Sequence, residues 1–373
     1  MANNAVIVGA GIVGLATAKA LAELGWKVTV YEKSDFSVGA SIRNFGMVWP
    51  IGQPSGKLYD RATRSRSIWK DVCISTNSWF EEAGSLHVAQ SVLEVEVMKE
   101  IVGAYERERK IHWVEKDQLK TNFPNVNTQN ALGAIWSEEE VIVESRNVIR
   151  SLPAFLERVY GVEFKFNQLV TEAYSGFVMV GSKRVDTDMV CICSGADLEL
   201  LFPHVYAQHL TKCKLQMLRL VAQQSNHRFG PAICGGLSLI HYKSFGVAQS
   251  LPLLKEVYEL EYPAYIAHGI HVMACQNHLG ELTVGDSHEY GKDFDPFDKA
   301  AINELILDFL KKIAIIDDWR VIQTWNGVYP KMTNGATELV QEVDKDVWVI
   351  NGLGGAGMTL SFGLAEEFAK QFA

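Results

Sequence analysis

Gly9, Gly11 and Gly14, in "VIVGAGIVGL", have the G-x-G-x-x-G spacing with which a chain holds the pyrophosphate of a dinucleotide. The first glycine permits a tight turn, the second lets phosphates approach bare backbone, and the third lets a helix pack closely on the preceding strand. Glu32 ends the apolar run Lys27 to Tyr31, where a carboxylate accepts hydrogen bonds from the adenosine ribose. An acid at that place disfavours the 2′-phosphate of NADP. Far along the chain, Gly352, Gly354, Gly355 and Gly357 make a second glycine-rich turn ahead of an apolar helix. A helix N-terminus presented by glycine backbone stabilises an anion. NAD needs only the first device. A flavin also needs a partner for its pyrimidine edge, where negative charge collects on reduction, so the two turns together select FAD.

The elements that must position these residues follow from hydrophobic patterning. Ala5 to Val8 reads as a buried parallel strand, the residues from Ile12 as a helix stopping at Gly25, and Lys27 to Tyr31 as the next strand. "SVGASIRNFGMVWPIGQPSG" reads as a functional loop, Leu58 to Trp79 as a helix, and 84–140 as short strands and helices. "SRNVIRSLPAFLERVY" is a helix with Pro153 inside or near its start, "VEFKFNQLVTEAY" and "GFVMV" are strands, and "DMVCICSGAD" is a buried strand ending at Gly195. From Lys212 to Val284 the pattern predicts antiparallel strands in "KLQMLRLVAQ", "LSLIHYKSFG", "IHVMACQ" and "ELTVGDS". "DKAAINELILDFLKKIA" is an amphipathic helix; Asp346 to Ile350 is a strand and a last helix runs from about Thr359. The expected fold is α/β: a doubly wound, Rossmann-like FAD-binding domain from 1–80, 142–210 and 318–373, interleaved with an antiparallel-sheet substrate domain from 81–141 and 211–317.

Composition excludes other classes. With 35 basic against 44 acidic residues and a net charge of −9, the chain is not built for nucleic acid or an anionic membrane. The apolar start lacks the basic n-region of a signal peptide, and no run of about eighteen apolar residues offers a membrane span. The six cysteines, Cys73, Cys191, Cys193, Cys213, Cys234 and Cys275, form no C-x-x-C and read as buried thiols of a cytoplasmic protein. His268, His271, Cys275 and His278 resemble a metal set, but on two strands around a turn His268 and His271 face opposite sides, so no metal is expected. Arg61, Arg64 and Arg66 read as a solvated helix face.

"VIVGAGIVGLATAKALAELG…VTVYEK", "GASIRNFG", "VCICSGA" and "GLGGAGMTLSFGLAEE" resemble, over the whole chain, the D-amino-acid oxidase/glycine oxidase/sarcosine oxidase superfamily of FAD-dependent amine oxidoreductases. "SIRNFGMVWPIGQPSG" and "VGDSHEYG" look like a subgroup associated with aminophosphonate breakdown. The resemblance implies Gly9, Gly11 and Gly14 at the pyrophosphate, Glu32 with Lys33 at the ribose, and Ser41, Arg43, Asn44, Phe45 and Gly46 in the loop that runs to the isoalloxazine. It further implies Val170 at the adenine, Ser194 and Gly195 at a strand end near the cofactor, and Gly352, Gly354, Gly355, Gly357, Met358 and Thr359 at the pyrimidine edge.

The departures concern the substrate. The family's amino-acid oxidases carry an arginine that clamps the substrate carboxylate, whereas "TWNGVYPKMTNG" has Tyr329 there. A phenol offers one hydroxyl and no charge, so the bidentate clamp is lost. Either Lys331 or Arg43 recognises an acid, or the substrate is not a simple α-amino acid; a phosphonate suits a Lys/Tyr/His site. Tyr242 and His288 are polar pocket residues and Trp49 an apolar wall, each with an ordinary sheet position as the alternative. No cysteine stands where some sarcosine oxidases attach flavin, so FAD is expected to be noncovalent. The implied reaction oxidises a small primary or secondary amine, with hydride passing from the α C–H to flavin N5, then imine hydrolysis, and with O₂ or another acceptor reoxidising the cofactor. An aminoalkylphosphonate or its N-methyl derivative is the substrate in view. The other readings are a glycine or D-amino-acid oxidase with a relocated carboxylate residue, a non-catalytic flavin-binding assembly subunit, and an NAD-dependent dehydrogenase; homo-oligomerisation stays open.

Overall fold

In the computed structural model, which describes residues 3–224 and 228–373, the first apolar run is the strand Asn4–Val8. It pairs in parallel with Lys27–Tyr31 on one side and Met189–Ile192 on the other. Glu163–Lys165 and Val347–Asn351 extend this sheet in parallel at its two ends, and Leu339–Asp344 closes the latter edge antiparallel. Alternate residues serve opposite cores. Ala5, Ile7 and Cys191 face the helices Ile12–Glu23, Lys57–Thr76, Ser145–Tyr160 and Gly357–Ala369, while Val6, Val190 and Ile192 face the small sheet begun by Val170–Tyr174. Cover on both faces is why these strands read as continuous apolar runs.

The second large sheet has nine strands and carries one wall of the site. Its spine is Leu210–Leu220, which pairs antiparallel with Val321–Met332 along one edge and with Leu282–Gly285 and Glu289–Gly291 along the other. Met273–Gln276, Ala232–Gly235, Ser85–Ala89, Gly133–Ser137 and Ile111–Glu115 follow outward, antiparallel except between Ala232–Gly235 and Ser85–Ala89. The expected α/β architecture, a doubly wound sheet with an antiparallel sheet interleaved along the chain, is observed.

Several local expectations are corrected. "LSLIHYKSFG" is not a strand: it forms two 3-10 turns, Gly236–Ser238 and Lys243–Val247, because Gly235 and Gly236 let Phe309, Glu94 and Tyr258 pack where side chains would otherwise stand. "AYIA" belongs to a short helix, Pro263–Ala267, so neither His268 nor His271 lies in a strand. The helix expected to Trp79 ends at Thr76, where Asn77 adopts a left-handed cap, and the last helix starts at Gly357. The six cysteines are buried and free, as expected.

The solvated arginine face holds for Arg64 but not for Arg61, which is 2% exposed. Its guanidinium grips Glu367 through two hydrogen bonds of 2.8 Å and Glu338 through a third of 2.9 Å. It thereby ties Lys57–Thr76 to the Gly357–Ala369 helix, whose Gly363 leaves room for Arg61. Arg61→Ala is expected to cost about 3–5 kcal/mol, since two carboxylates lose their shared buried partner. A urea midpoint unchanged from wild type would refute it.

Candidate active site

The first glycine turn is built as the sequence requires. Gly9 has φ +103°, and a Cβ on Gly14 would stand 1.9 Å from the Gly9 carbonyl oxygen, so strand and helix touch there. Helix Ile12–Glu23 begins at Gly11 with no side-chain cap on Gly11 itself. Ser41 Oγ accepts from the Ile12 amide at 2.9 Å, which brings the functional loop onto the helix N-terminus. Glu32 sits at the end of Lys27–Tyr31 and accepts from the amides of Ala10 (2.9 Å) and Ser34 (3.0 Å). A hollow of about 270 Å³ opens between Ala10, Asp35–Ser37, Arg150 and Phe166. Val170 is buried in one cluster with Tyr31, and the amide of Gln168 donates to Glu32 O, so that segment lies beside the same strand end. Lys33 pairs with Asp197, three residues past Ser194, whose hydroxyl bonds Asp197 O and Tyr206. Gly195 accepts from Asn351, immediately before the second glycine turn.

The loop 40–46 is held from three sides. Asn44 donates to the carbonyls of Ala40 and Ser41 and accepts from Gly46 N, Phe45 O accepts from Cys275, and exposed Arg43 reaches Asn326 O at 3.2 Å. The two ends of the chain then meet: a Cβ on Gly357 would touch Ile12, so the N-termini of the two helices lie side by side. A helix N-terminus entered through bare glycine, a carboxylate at the ribose position and a second helix N-terminus for the pyrimidine edge fit FAD.

Beside the second turn lies a closed circuit of side chains. Lys331 packs near Gly354 and Tyr329 Oη near Gly355, and Lys331 Nζ is 2.9 Å from Tyr290 Oη. The Tyr290 ring stacks near His288, and His288 and His271 flank His241 at centroid distances of 4.7 and 3.8 Å. His241 then meets Tyr242 at 5.0 Å, and Tyr242 meets Trp49 at 6.3 Å. Trp49 returns to the C-terminal helix, its amide donating to Thr359 Oγ1 at 3.0 Å, while Met358 O accepts from Trp69. All five substrate-pocket residues named from sequence, Tyr242, His288, Tyr329, Lys331 and Trp49, fall on this circuit. Among the described residues that form it, Lys331 is the one lysine or arginine.

His241, Tyr290 and Asp286 are not singled out by the sequence, and His271 only within the metal set that the pattern disfavours. Asp286 lies buried 3.2 Å from His271 Nε2 and 4.0 Å from His288 Nε2. The one signal was density: five of the ten histidines, His241, His268, His271, His278 and His288, fall in one stretch. The ring nitrogens of His241, His271 and His288 lie within 4.8 Å of one another, but His241 lies over His271 as a tilted stack. A stack is not the arrangement of imidazoles pointing at one ion. Burial holds the His288 imidazole down at about 4, with Lys331 adding to the effect. His241 is open to solvent on one side yet surrounded by protein on the others; burial, then His288 and Lys331, hold it well below the usual range. Burial also raises the Tyr329 phenol and the Asp286 carboxyl, so Tyr329 is a permanent hydrogen-bond donor at neutral pH.

A family described as DAO, FAD dependent oxidoreductase, matches residues 4–371. The chain belongs to this family. FAD is therefore the cofactor of the oxidoreductase, and the NAD reading is set aside. The oxidoreductase is 21% identical over 358 residues to a glycine oxidase of Bacillus licheniformis, spanning 92% of this chain and 85% of that protein. Its fold matches the glycine oxidase of Bacillus cereus with a TM-score of 0.78 at 16% identity, covering 99% and 94% of the two chains. It matches the L-proline dehydrogenase of P. horikoshii equally well, 0.78 at 17% identity, over 100% and 93%. No helix among the described residues is long and apolar enough to cross a membrane.

Proposed function

We propose that the oxidoreductase oxidises a small primary or secondary amine that carries a tetrahedral anion, an aminoalkylphosphonate or its N-methyl derivative. One observation carries this reading. Tyr329 and Lys331 stand at the second glycine turn, with Tyr290 hydrogen-bonded to Lys331 at 2.9 Å: three donors on three side chains with one point charge, in place of a planar guanidinium fork. A fork matches the two coplanar oxygens of a carboxylate; divergent donors match three oxygens on a tetrahedron. Glycine and L-proline, in the names of the similar proteins, are a primary and a secondary amine, which supports the amine half of the reading.

When bound, FAD supplies the two-electron acceptor for oxidation of the amine C–H. In this reading Gly9, Gly11, Gly14, Glu32 and the loop from Ser41 to Gly46 hold it noncovalently, with Gly352 to Thr359 at its pyrimidine edge. The chain's own part is orientation and exclusion of water. Lys331 and Tyr290 hold the anionic end, Tyr329 donates beside Gly355, and Trp49 with Tyr242 walls the other side. The test is an anaerobic amine panel followed by bleaching of the flavin. 2-Aminoethylphosphonate or its N-methyl form is expected to reduce the flavin faster than glycine, sarcosine or D-alanine. Faster reduction by those amino acids would favour an amino-acid oxidase with Lys331 as its relocated carboxylate partner. No reduction by any amine would point to an assembly subunit.

A further inference from the structure

We propose that the anionic end of the substrate is seated between Lys331, Tyr290 and His288, and that seating it there draws one proton into the cluster of His241, His271 and His288. This rests on the reading of the substrate as an amine bearing an anionic group. His288 Nδ1 lies 2.9 Å from the Gly269 carbonyl oxygen. A carbonyl only accepts, so Nδ1 bears the hydrogen and Nε2 of the neutral ring is bare. Behind it His271 Nε2 lies 3.2 Å from Asp286 Oδ1 without making a hydrogen bond, and its Nδ1 is buried without a partner, so whichever nitrogen of that neutral ring lacks the hydrogen is bare as well. The cluster therefore offers lone pairs, and an oxyanion also offers lone pairs. The two can touch only with a proton between them.

Lys331 decides which end of the substrate belongs here. Its charge bears on all three histidines and opposes a second cation among them. A substrate ammonium would meet the same repulsion, whereas an anion neutralises Lys331 and reverses the sign of the field. Two phenols and a thiol facing the cluster stay uncharged near neutral pH. Burial keeps the phenols of Tyr242 and Tyr329 well above their usual range and lifts the Cys213 thiol to about 11. His87, behind Trp49, is held down at about 3, and the Asp286 carboxyl is raised by burial beside the two histidines it faces. The bare Nε2 of His288 is the acceptor the geometry offers, so the incoming proton is assigned to the histidine cluster, taken from solvent, with no other bond made or broken. By linkage, binding an anion that takes up one proton weakens about tenfold for each pH unit of increase.

Sulfate is a suitable probe, because it is tetrahedral, has no amine to oxidise and brings no proton of its own. Its binding to the FAD-loaded protein would be followed by calorimetry near about pH 7.5 in two buffers of different ionisation heat, at constant ionic strength. The expected result is uptake of about one proton per sulfate, and binding without uptake in His288→Gln. Equal heats in the two buffers would overturn the proposal, as would uptake that persists unchanged in both His288→Gln and His241→Gln with FAD content intact. If acetate binds and sulfate does not, the tetrahedral-anion reading fails instead, and the proton count with acetate decides this inference by the same criteria. Failure of both anions to bind overturns it outright.

Discussion

Gly11→Val should yield folded protein that has lost most of its FAD. A Cβ at Gly11 already stands 3.2 Å from Ser41 Oγ, which accepts from the Ile12 amide at the helix N-terminus. Two further methyl groups must push Ser41 aside or enter the space where phosphates approach the backbone. Overpacking of this kind costs about 1–3 kcal/mol, or about 5–150-fold in affinity for FAD. The measurement is flavin absorbance per protein, with the flavin released by heat and quantified free in solution. Full occupancy in a folded variant would mean that the pyrophosphate lies elsewhere; flavin left on the precipitated chain would refute noncovalent binding. Gly14→Ala is the contrasting control. Its methyl meets the Gly9 backbone at 1.9 Å, so strand and helix must separate and stability falls along with the flavin.

Lys331→Met is expected to leave FAD content and the flavin spectrum unchanged while the concentration of amine for half-maximal flavin reduction rises about 10–150-fold. That range corresponds to losing a hydrogen bond to a charged group, about 1.5–3 kcal/mol. The limiting rate of reduction at saturating amine should change little, because Lys331 is placed on the anionic end and not on the reacting C–H. Lys331→Arg should recover part of the loss, since charge is kept while the hydrogen bond to Tyr290 is rebuilt in a different shape. An unchanged concentration dependence in Lys331→Met would remove the lysine from the site, leaving Arg43 as the remaining cation near the loop.

The cofactor half of the site was legible because backbone geometry dictates it. At Gly9 and Gly14 the strand, turn and helix leave no space for a side chain, so glycine is compulsory and its spacing is diagnostic. In the proposed substrate half, positions could be named only where a motif fixed them, as at Tyr329 and Lys331. His241 and His271 are thirty residues apart, and they meet because "LSLIHYKSFG" abandons the strand its alternation suggests and turns twice through 3-10 helix. That choice is made by tertiary packing on Gly235 and Gly236, which a local pattern does not carry. Arg61 was misread for the same reason: its partners Glu338 and Glu367 lie at the other end of the sequence.

The meeting of Trp49 with Thr359 spans 310 residues of chain. A ribosome adding about 5–20 residues per second needs about 15–60 s to travel that distance. Through that interval the nascent polypeptide carries its first glycine turn, while the helix proposed for the other end of the flavin has not been made. With the site as proposed, the two turns can hold the flavin together only once the C-terminal helix has been synthesised. The same delay leaves the apolar face of Ile12–Glu23 that packs on Gly357–Ala369 uncovered, a surface on which a chaperone holding the growing chain would act.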